Sequence, residues 1–323
     1  MKAARYIEHR LLHAAFLLAA VSLIAFASSQ LAPGKFLDEL KLNPQVSTQT
    51  LDELRTQYGL DQPLNVRYFR WLKSVAAGDL GYSLAYNLPV SKLLWSRMGN
   101  TLLLGIAALL LSWIVALPMG ILSARSRGSW MDHAFSGAST LLLGTPELAL
   151  GLFFILIAAH LGTLPTGGMT SARTQQSHWR AAGDILRHSV LPAMVLALAA
   201  LPVLFRHVRA AMLEALNSPF VKAAKGHGIG DARLLVRHAL PSAANPLISL
   251  FGLSLAGLVS GSFLVEVITG WPGLGPLFLE SVYTRDFQVV VAIVMLFSTF
   301  LILANLIADL FLYIADPRVR AEC

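Results

Sequence analysis

The stretch Thr101–Ala124 reads TLLLGIAALLLSWIVALPMGILSA and carries no Asp, Glu, Lys or Arg. A helix needs about 20 such residues to cross roughly 30 Å of hydrocarbon. The apolar residues run on without alternating, and Leu and Ala dominate. In lipid only helices and closed barrels satisfy their backbone groups, so the stretch reads as a transmembrane helix. Working outward, five more runs share its character: Leu11–Leu31, Ala134–His160, Ser189–Phe205, Pro246–Ile268 and Val289–Ile314. The 323 residues are 55% hydrophobic and 13% charged, with a mean hydropathy of +0.62. A soluble domain so poor in charge could not cover its surface. The expected fold is an all-α integral membrane protein of about six transmembrane helices, with an amphipathic outer loop and a cytoplasmic helical loop.

The N-terminus admits two readings. Basic KAARYIEHR precedes LLHAAFLLAAVSLIAFASS, and Ala25-Phe26-Ala27 resembles a signal-peptidase site. The apolar run continues through Leu31, which favours a retained first helix.

Lys and Arg in short loops set orientation. Lys2, Arg5 and Arg10 precede the first run, and Arg125 and Arg127 follow the second. Arg206, Arg209, Lys222, Lys225, Arg233 and Arg237 lie between the fourth and fifth, and Arg318 and Arg320 follow the sixth. With six spans all these fall on one side, the cytoplasmic one. The chain then divides into a cytoplasmic N-terminus (1–10), a first helix (11–31), a periplasmic loop (32–100), a five-helix core (101–314) holding a cytoplasmic loop at 206–245, and a cytoplasmic C-terminus (315–323). The periplasmic loop contains GLDQPLNVRYFRWLKSVAAGDLGYS, amphipathic enough to fold against the outer membrane face. Basic flanks account for the net charge of +7 without a nucleic-acid partner. The lone cysteine, Cys323, allows no intrachain disulfide.

Several chemistries are absent from the sequence. It has no G-x-x-x-x-G-K-[ST] phosphate loop and no H-E-x-x-H zinc motif, so ATP hydrolysis, a metal site and a cofactor of its own are not expected. GYSLA (81–85) approaches the serine-hydrolase G-x-S-x-G but lacks its last glycine, and reads as outer-loop structure. His207, His227 and His238 match no metal-ligand spacing. Trp71, Trp95, Trp130 and Trp271 sit near expected interfaces, where anchoring explains them.

Ionisable groups inside spans are costly and usually line a cavity. Glu147 follows Pro146, whose missing N–H kinks a helix and frees carbonyls. Glu147 reads either as an acid on a solute path or as the partner of a nearby polar group. Glu266 lies near the outer end of the fifth run, before a Trp-Pro-Gly turn, and suits a gate or a loop anchor. Asn305 and Asp309 are one helical turn apart. Asp309 is near the cytoplasmic end, and Asn305 suits packing between helices.

The cytoplasmic stretch KAAKGHGIGDARLLVRHALP (Lys222–Pro241) is different in kind. Pro219 interrupts the helix that leaves the fourth run. A short helix with small Ala223 and Ala224 follows, until Gly226, Gly228 and Gly230 break it. Asp231 is placed to cap a second helix, and Pro241 to end or kink it. A merely basic loop needs neither paired alanines nor a glycine turn, so the pattern favours a docking element.

Phe220-Val221, Ala223-Ala224-x-x-x-Gly228 and then His238, Leu240 and Pro241 resemble the "EAA" loop of binding-protein-dependent ABC transporter permeases, in particular the dipeptide/oligopeptide/nickel branch. RYIEHRLL, LAPG, YGLDQPLNVRYFRWL, GDLGYS, LGTLPTGG, FLVEVITGWPGLG, RDFQVV and NLIADLFLYIADPRVR are similar to that branch in order along the chain. Lys225 stands for the usual Arg, Gly226 for Ala and His227 for Lys. Glu147 stands where the branch has an apolar or small residue, while Glu266, Asn305 and Asp309 match it. The resemblance implies a permease subunit of an ATP-driven importer in a bacterial cytoplasmic membrane, for a peptide, nickel or another small solute. Phe220, Val221, Ala223, Ala224, Lys225, His227, Gly228, Leu240 and Pro241 would couple it to separate cytoplasmic ATPase subunits that bind ATP and Mg. Pro146, Glu147, Glu266, Asn305 and Asp309 would belong to the path or its gate. A second permease, in a heterodimer, and an extracytoplasmic solute-binding protein would complete the assembly. The competing readings are a passive channel and a membrane receptor.

Overall fold

The structure, a computed structural model, describes residues 2–31, 62–83, 85–171 and 178–315. In chain order the helices are α1 (Lys2–Leu31) and α2 (Leu64–Ala76), then a hairpin of β1 (Tyr82–Ser83) and β2 (Leu88–Pro89), then α3 (Val90–Arg125), α4 (Trp130–Leu143), α5 (Glu147–Leu161) and α6 (His178–Asn217). Short α7 (Pro219–Gly226), α8 (Asp231–Leu234), a π-helical turn (Leu235–Ala239) and α9 (Leu240–Ser242) follow. The chain continues with α10 (Ala244–Gly261), α11 (Phe263–Ile268), α12 (Leu274–Tyr283) and α13 (Phe287–Ala315). The fold is an all-α membrane protein.

All six expected apolar runs are helical, but their limits and continuity differ from the sequence reading. The second begins at Val90, and the fourth spans all of α6. Polar ends such as Val90–Asn100 carry no hydropathy signal, yet nothing in them stops a helix. The third run, expected as one span over Ala134–His160, is two helices meeting at a bend of 103°. Pro146 sits at the N-cap of α5 with φ −59° and ψ 142°. It cannot donate to the preceding turn, and it pushes Thr145 out of the α region. The fifth run is likewise interrupted, at Ser262 between α10 and α11.

The described residues form two compact units. The first comprises those within Met1–Ile7, Thr101–Pro272 and Phe300–Cys323. Helix α6 is its axis, 67% buried over its most apolar window. Pro192 and Pro202 lie inside it, as membrane helices tolerate when neighbours re-satisfy the freed carbonyls. One core cluster joins Ala116 and Ala124 of α3 to Leu204, Val208 and Met212 of α6, and to Ala239, Ala243 and Leu247. A second joins Leu104 and Ala108 of α3, Leu150 of α5, Leu191 and Val195 of α6, and Val265 and Trp271. The fully buried Trp271 is a core residue and not the interfacial anchor expected for it. Its N–H donates to the Glu266 carbonyl at 2.9 Å, which folds the Trp-Pro-Gly turn inward.

The second unit comprises the described residues of Glu8–Asn100 and Gly273–Thr299. Phe26 of α1 meets Tyr68 and Trp71 of α2 with ring centroids 5.4 and 5.9 Å apart, and the Ser22 and Tyr68 hydroxyls are 2.8 Å apart. Val90, Leu93, Leu274, Leu277, Val289 and Ile293 form this unit's core. The serine of GYSLA is buried, and its Oγ donates to Asp286 Oδ2 at 2.5 Å. The same oxygen accepts from Ala85 N–H at 3.2 Å, and Tyr86 N–H donates to Ser83 Oγ at 3.1 Å. Ser83 is thus a hairpin fastener, with its proton committed to a carboxylate. Asp286→Ala leaves that hydroxyl and an amide unsatisfied, at about 1–3 kcal/mol. Limited proteolysis of the detergent-solubilised protein should cut within 78–89 of the variant faster than of the wild type.

Candidate functional site

Helix α6 ends at Asn217, and Pro219 opens α7 at its first turn, where a missing N–H costs nothing and φ is preset. Helix α7 turns Val221 inward, 2% exposed, with Ala224 half-buried beside it. Phe220, at 50%, and Ala223 lie exposed one turn apart on the other side, with Lys225 and His227 also exposed. The helix closes in a Schellman turn. Ile229 N–H reaches the Ala224 carbonyl at 3.4 Å and Gly228 N–H the Lys225 carbonyl at 3.0 Å, with Gly228 at φ +80°. Only glycine takes that angle at no steric cost.

The sequence reading of this loop is corrected in three places. Of the three glycines only Gly228 breaks the helix: Gly226 is its last residue, and Gly230 has an ordinary φ of −62°. Gly230, not Asp231, occupies the N-cap of α8, and Asp231 makes no capping hydrogen bond. Asp231 instead pairs with Arg125 at the end of α3, at 3.5 Å and in the open. Pro241 does not end the second arm. The chain widens into the π turn just before it, which relieves the clash of the proline ring with the carbonyl four residues back, and continues as α9. Leu240 there is half-buried and Pro241 exposed.

Upstream of α7, on α6, lies a polar clamp. Arg209 of α6 donates from Nε to Asp132 Oδ1 and from a terminal nitrogen to Oδ2, both at 2.8 Å. Arg209 Nε also reaches Ser123 Oγ of α3 at 2.9 Å, and the Ser123 hydroxyl donates to Asp132. Gly128 N–H donates to Asp132 Oδ2 at 2.9 Å, and Ser129 caps α4 by accepting from Asp132 N–H. Helices α3 and α6 come close enough here that a Cβ on Gly120 would lie 2.5 Å from Val208 Cγ1. The clamp therefore binds α3, α4 and α6 together just before the chain enters α7. Sequence reasoning counted Arg209 only as a topological charge and passed over Asp132. The signal was available as Ser129-x-x-Asp132 before an apolar run, a helix-start pattern.

The first unit also holds an open cavity of about 310 Å³, walled by α3, α6 and α10 and reached by Glu147 at the first residue of α5. Small residues such as Gly105, Ala199, Ala200 and Gly257 make the room, and Ser112 and Ser254 add hydroxyls. Of the five residues proposed for a path, only Glu147 lines it. Pro146 is exposed beside Glu147 and sets the bend. Glu266 is buried elsewhere, accepting from Ser262 Oγ at 3.0 Å. Asn305 and Asp309 lie on α13, Asn305 exposed and not packed between helices of this chain, Asp309 half-buried. His207 rests its Nδ1 2.8 Å from the Val203 carbonyl.

This geometry has relatives. Residues 116–321 match the model of the binding-protein-dependent transport system inner membrane component, and residues 3–105 that of the N-terminal part of such membrane components. The chain is 35% identical over 319 residues to the oligopeptide transport system permease protein AppB of Bacillus subtilis, covering 98% of this chain and 99% of that one. It is 34% identical to the probable D,D-dipeptide transport system permease protein DdpB of Escherichia coli, with 93% of each chain covered. For the dipeptide transport system permease protein DppB of Escherichia coli the identity is 32%, over 93% and 94%. Among solved structures, the inward-facing MetNI methionine ABC transporter superposes with a TM-score of 0.57 at 20% identity, over 70% of this chain and 97% of that one. An amino acid ABC transporter superposes at 0.55 and 19%, over 69% and 94%. Those structural likenesses establish the fold, and the sequence matches run the length of the chain. The chain is a membrane permease subunit and belongs to the family of binding-protein-dependent transport system inner membrane components.

Proposed function

We propose that this chain is one of two permease subunits of an ATP-driven importer in a bacterial cytoplasmic membrane, and that its solute is a peptide or a similar small molecule. An extracytoplasmic binding protein delivers the solute, and separate cytoplasmic ATPase subunits, which bind ATP and Mg, drive its passage. End-to-end similarity to permeases named for oligopeptides and dipeptides carries the substrate class. The coupling role rests on α7: a short helix with exposed Phe220 and Ala223, closed by a turn that holds Gly228 at a positive φ, and following in the chain directly on α6, which carries the clamp at Arg209. A groove in an ATPase can take the exposed Phe220 ring as an apolar knob and close against the small Ala223 beside it. The first described helix and the core segments supply the membrane body, and the basic flanks support a cytoplasmic position for both termini.

Two experiments test this reading. Vesicles holding both permeases, the ATPases and the binding protein should take up a tripeptide only when ATP is supplied. Equal uptake without ATP would instead support a passive channel. For topology, Leu60→Cys should react with an impermeant maleimide from outside the cell, and His227→Cys only after the membrane is opened. Labelling of both from outside would contradict the assigned orientation.

A further inference from the structure

We infer that Glu147 is a selectivity group for cationic solutes, binding the protonated amine of the passing molecule inside the cavity of the first unit; this deepens the importer reading above and rests on it. Three observations carry the inference. First, Glu147 is the one charged residue among those lining the cavity, whose other walls are small or aliphatic. A lone charge in a low-dielectric recess focuses its field on whatever enters. Second, among the described residues no side chain or backbone group pairs with the Glu147 carboxylate. Its position is fixed by the break at Pro146, which makes Glu147 the first residue of α5, where free N–H groups favour a negative charge. Third, the two hydroxyls that share the cavity are turned to backbone carbonyls, mainly of their own helices, with Ser112 Oγ also 3.4 Å from the Ala197 carbonyl of α6. Ser112 Oγ donates to the Ala108 carbonyl at 2.6 Å and Ser254 Oγ to the Leu250 carbonyl at 2.7 Å. Their protons are engaged, so what they present to the cavity is acceptor oxygen. A site with one carboxylate, two acceptor hydroxyls and apolar walls suits an alkylammonium group. It does not suit a bare divalent metal ion, which takes several carboxylate, carbonyl or imidazole donors at once. The volume of about 310 Å³ is at the small end of ligand cavities.

The test uses the complete importer in vesicles and two probe peptides, Ala-Lys-Ala and Ala-norleucine-Ala, which differ by one ammonium group. Comparing variant with wild type cancels any preference of the binding protein, because both use the same one. Glu147→Gln should lower the ratio of lysyl to norleucyl uptake about tenfold, and Glu147→Asp, which keeps the charge, should restore most of it. An equal tenfold loss for both peptides, also restored by Glu147→Asp, would place the terminal ammonium at the carboxylate and equally support the inference. Unchanged uptake of both peptides by Glu147→Gln would overturn it while leaving the importer reading intact. A loss that Glu147→Asp shares would overturn it too, since charge would then not be what matters. Failure of the wild type to take up either peptide with ATP would instead defeat the importer reading.

Discussion

Arg209→Met should destabilise the permease by about 3 kcal/mol, the low end of the cost of breaking a buried ion pair. Asp132 is 7% exposed and Arg209 27%. Removing the guanidinium leaves the carboxylate among Ser123, Gly128 and apolar helix surfaces with its strongest donors gone. Arg125→Met is the matched control. It also removes an arginine–aspartate pair at the same end of the first unit, but that pair is 53% and 60% exposed at 3.5 Å and is worth less than about 1 kcal/mol. Thermal melts in detergent should therefore separate the two variants clearly. The double variant Asp132→Asn/Arg209→Met should recover part of the loss, because no buried charge is then left unpaired. Identical melts for Arg209→Met and Arg125→Met would show that the clamp does not hold the helices.

Gly228→Val should reduce ATP-driven uptake at least tenfold while the permease still inserts. The reason is backbone strain and not crowding. No atom lies within 4 Å of where a Cβ on Gly228 would sit, so space is free. The residue is held at φ +80° by the Schellman turn, and a β-branched residue there costs on the order of 1–3 kcal/mol. The turn would shift, and with it the direction of α8 relative to α7. Gly228→Asn separates the two causes, since asparagine tolerates the left-handed region and is the usual substitute at this position. Asn should retain most of the uptake. Equal loss with Asn and Val would mean that a partner surface, not the turn, excludes the side chain. Ala223→Asp should lose uptake for another reason: it should fail to assemble with the ATPase, because docking would bury an unpaired charge.

Much of this was legible in the sequence because hydropathy and special residues report directly on physics. Thr101–Ala124 had to be a helix in lipid, and Pro219, Gly228 and Pro241 marked the articulated loop. The break of the third span was announced by Pro146, though its angle was not, since a proline permits a bend and tertiary packing sets its size. The spacing of glycines could not say which one would take a positive φ; hydrogen bonds from Gly228 and Ile229 decide that. Trp271 read as an interfacial anchor because composition cannot distinguish a tryptophan at the membrane surface from one folded inward by a turn. The pairing of Arg209 with Asp132 was hidden for a different reason, although Ser129-x-x-Asp132 marked the start of α4. Its partners lie 77 positions apart, and only the crossing of α3, α4 and α6 brings them together. The cavity shows the same limit. Gly105, Ala199 and Gly257 are ordinary small residues until three helices place them around Glu147.

The central claim is that α7 seats on a separate ATPase chain, and the most direct measurement is a cross-link from its exposed face. With Cys323→Ser removing the native thiol, Ala223→Cys can carry a photoactivatable cross-linker in the assembled transporter, with Tyr283→Cys as an exposed control on the second unit. The account predicts that Ala223→Cys gives one adduct with the ATPase chain and Tyr283→Cys gives none. An intact complex in which Ala223→Cys yields no ATPase adduct, or in which both positions yield it equally, would contradict the account.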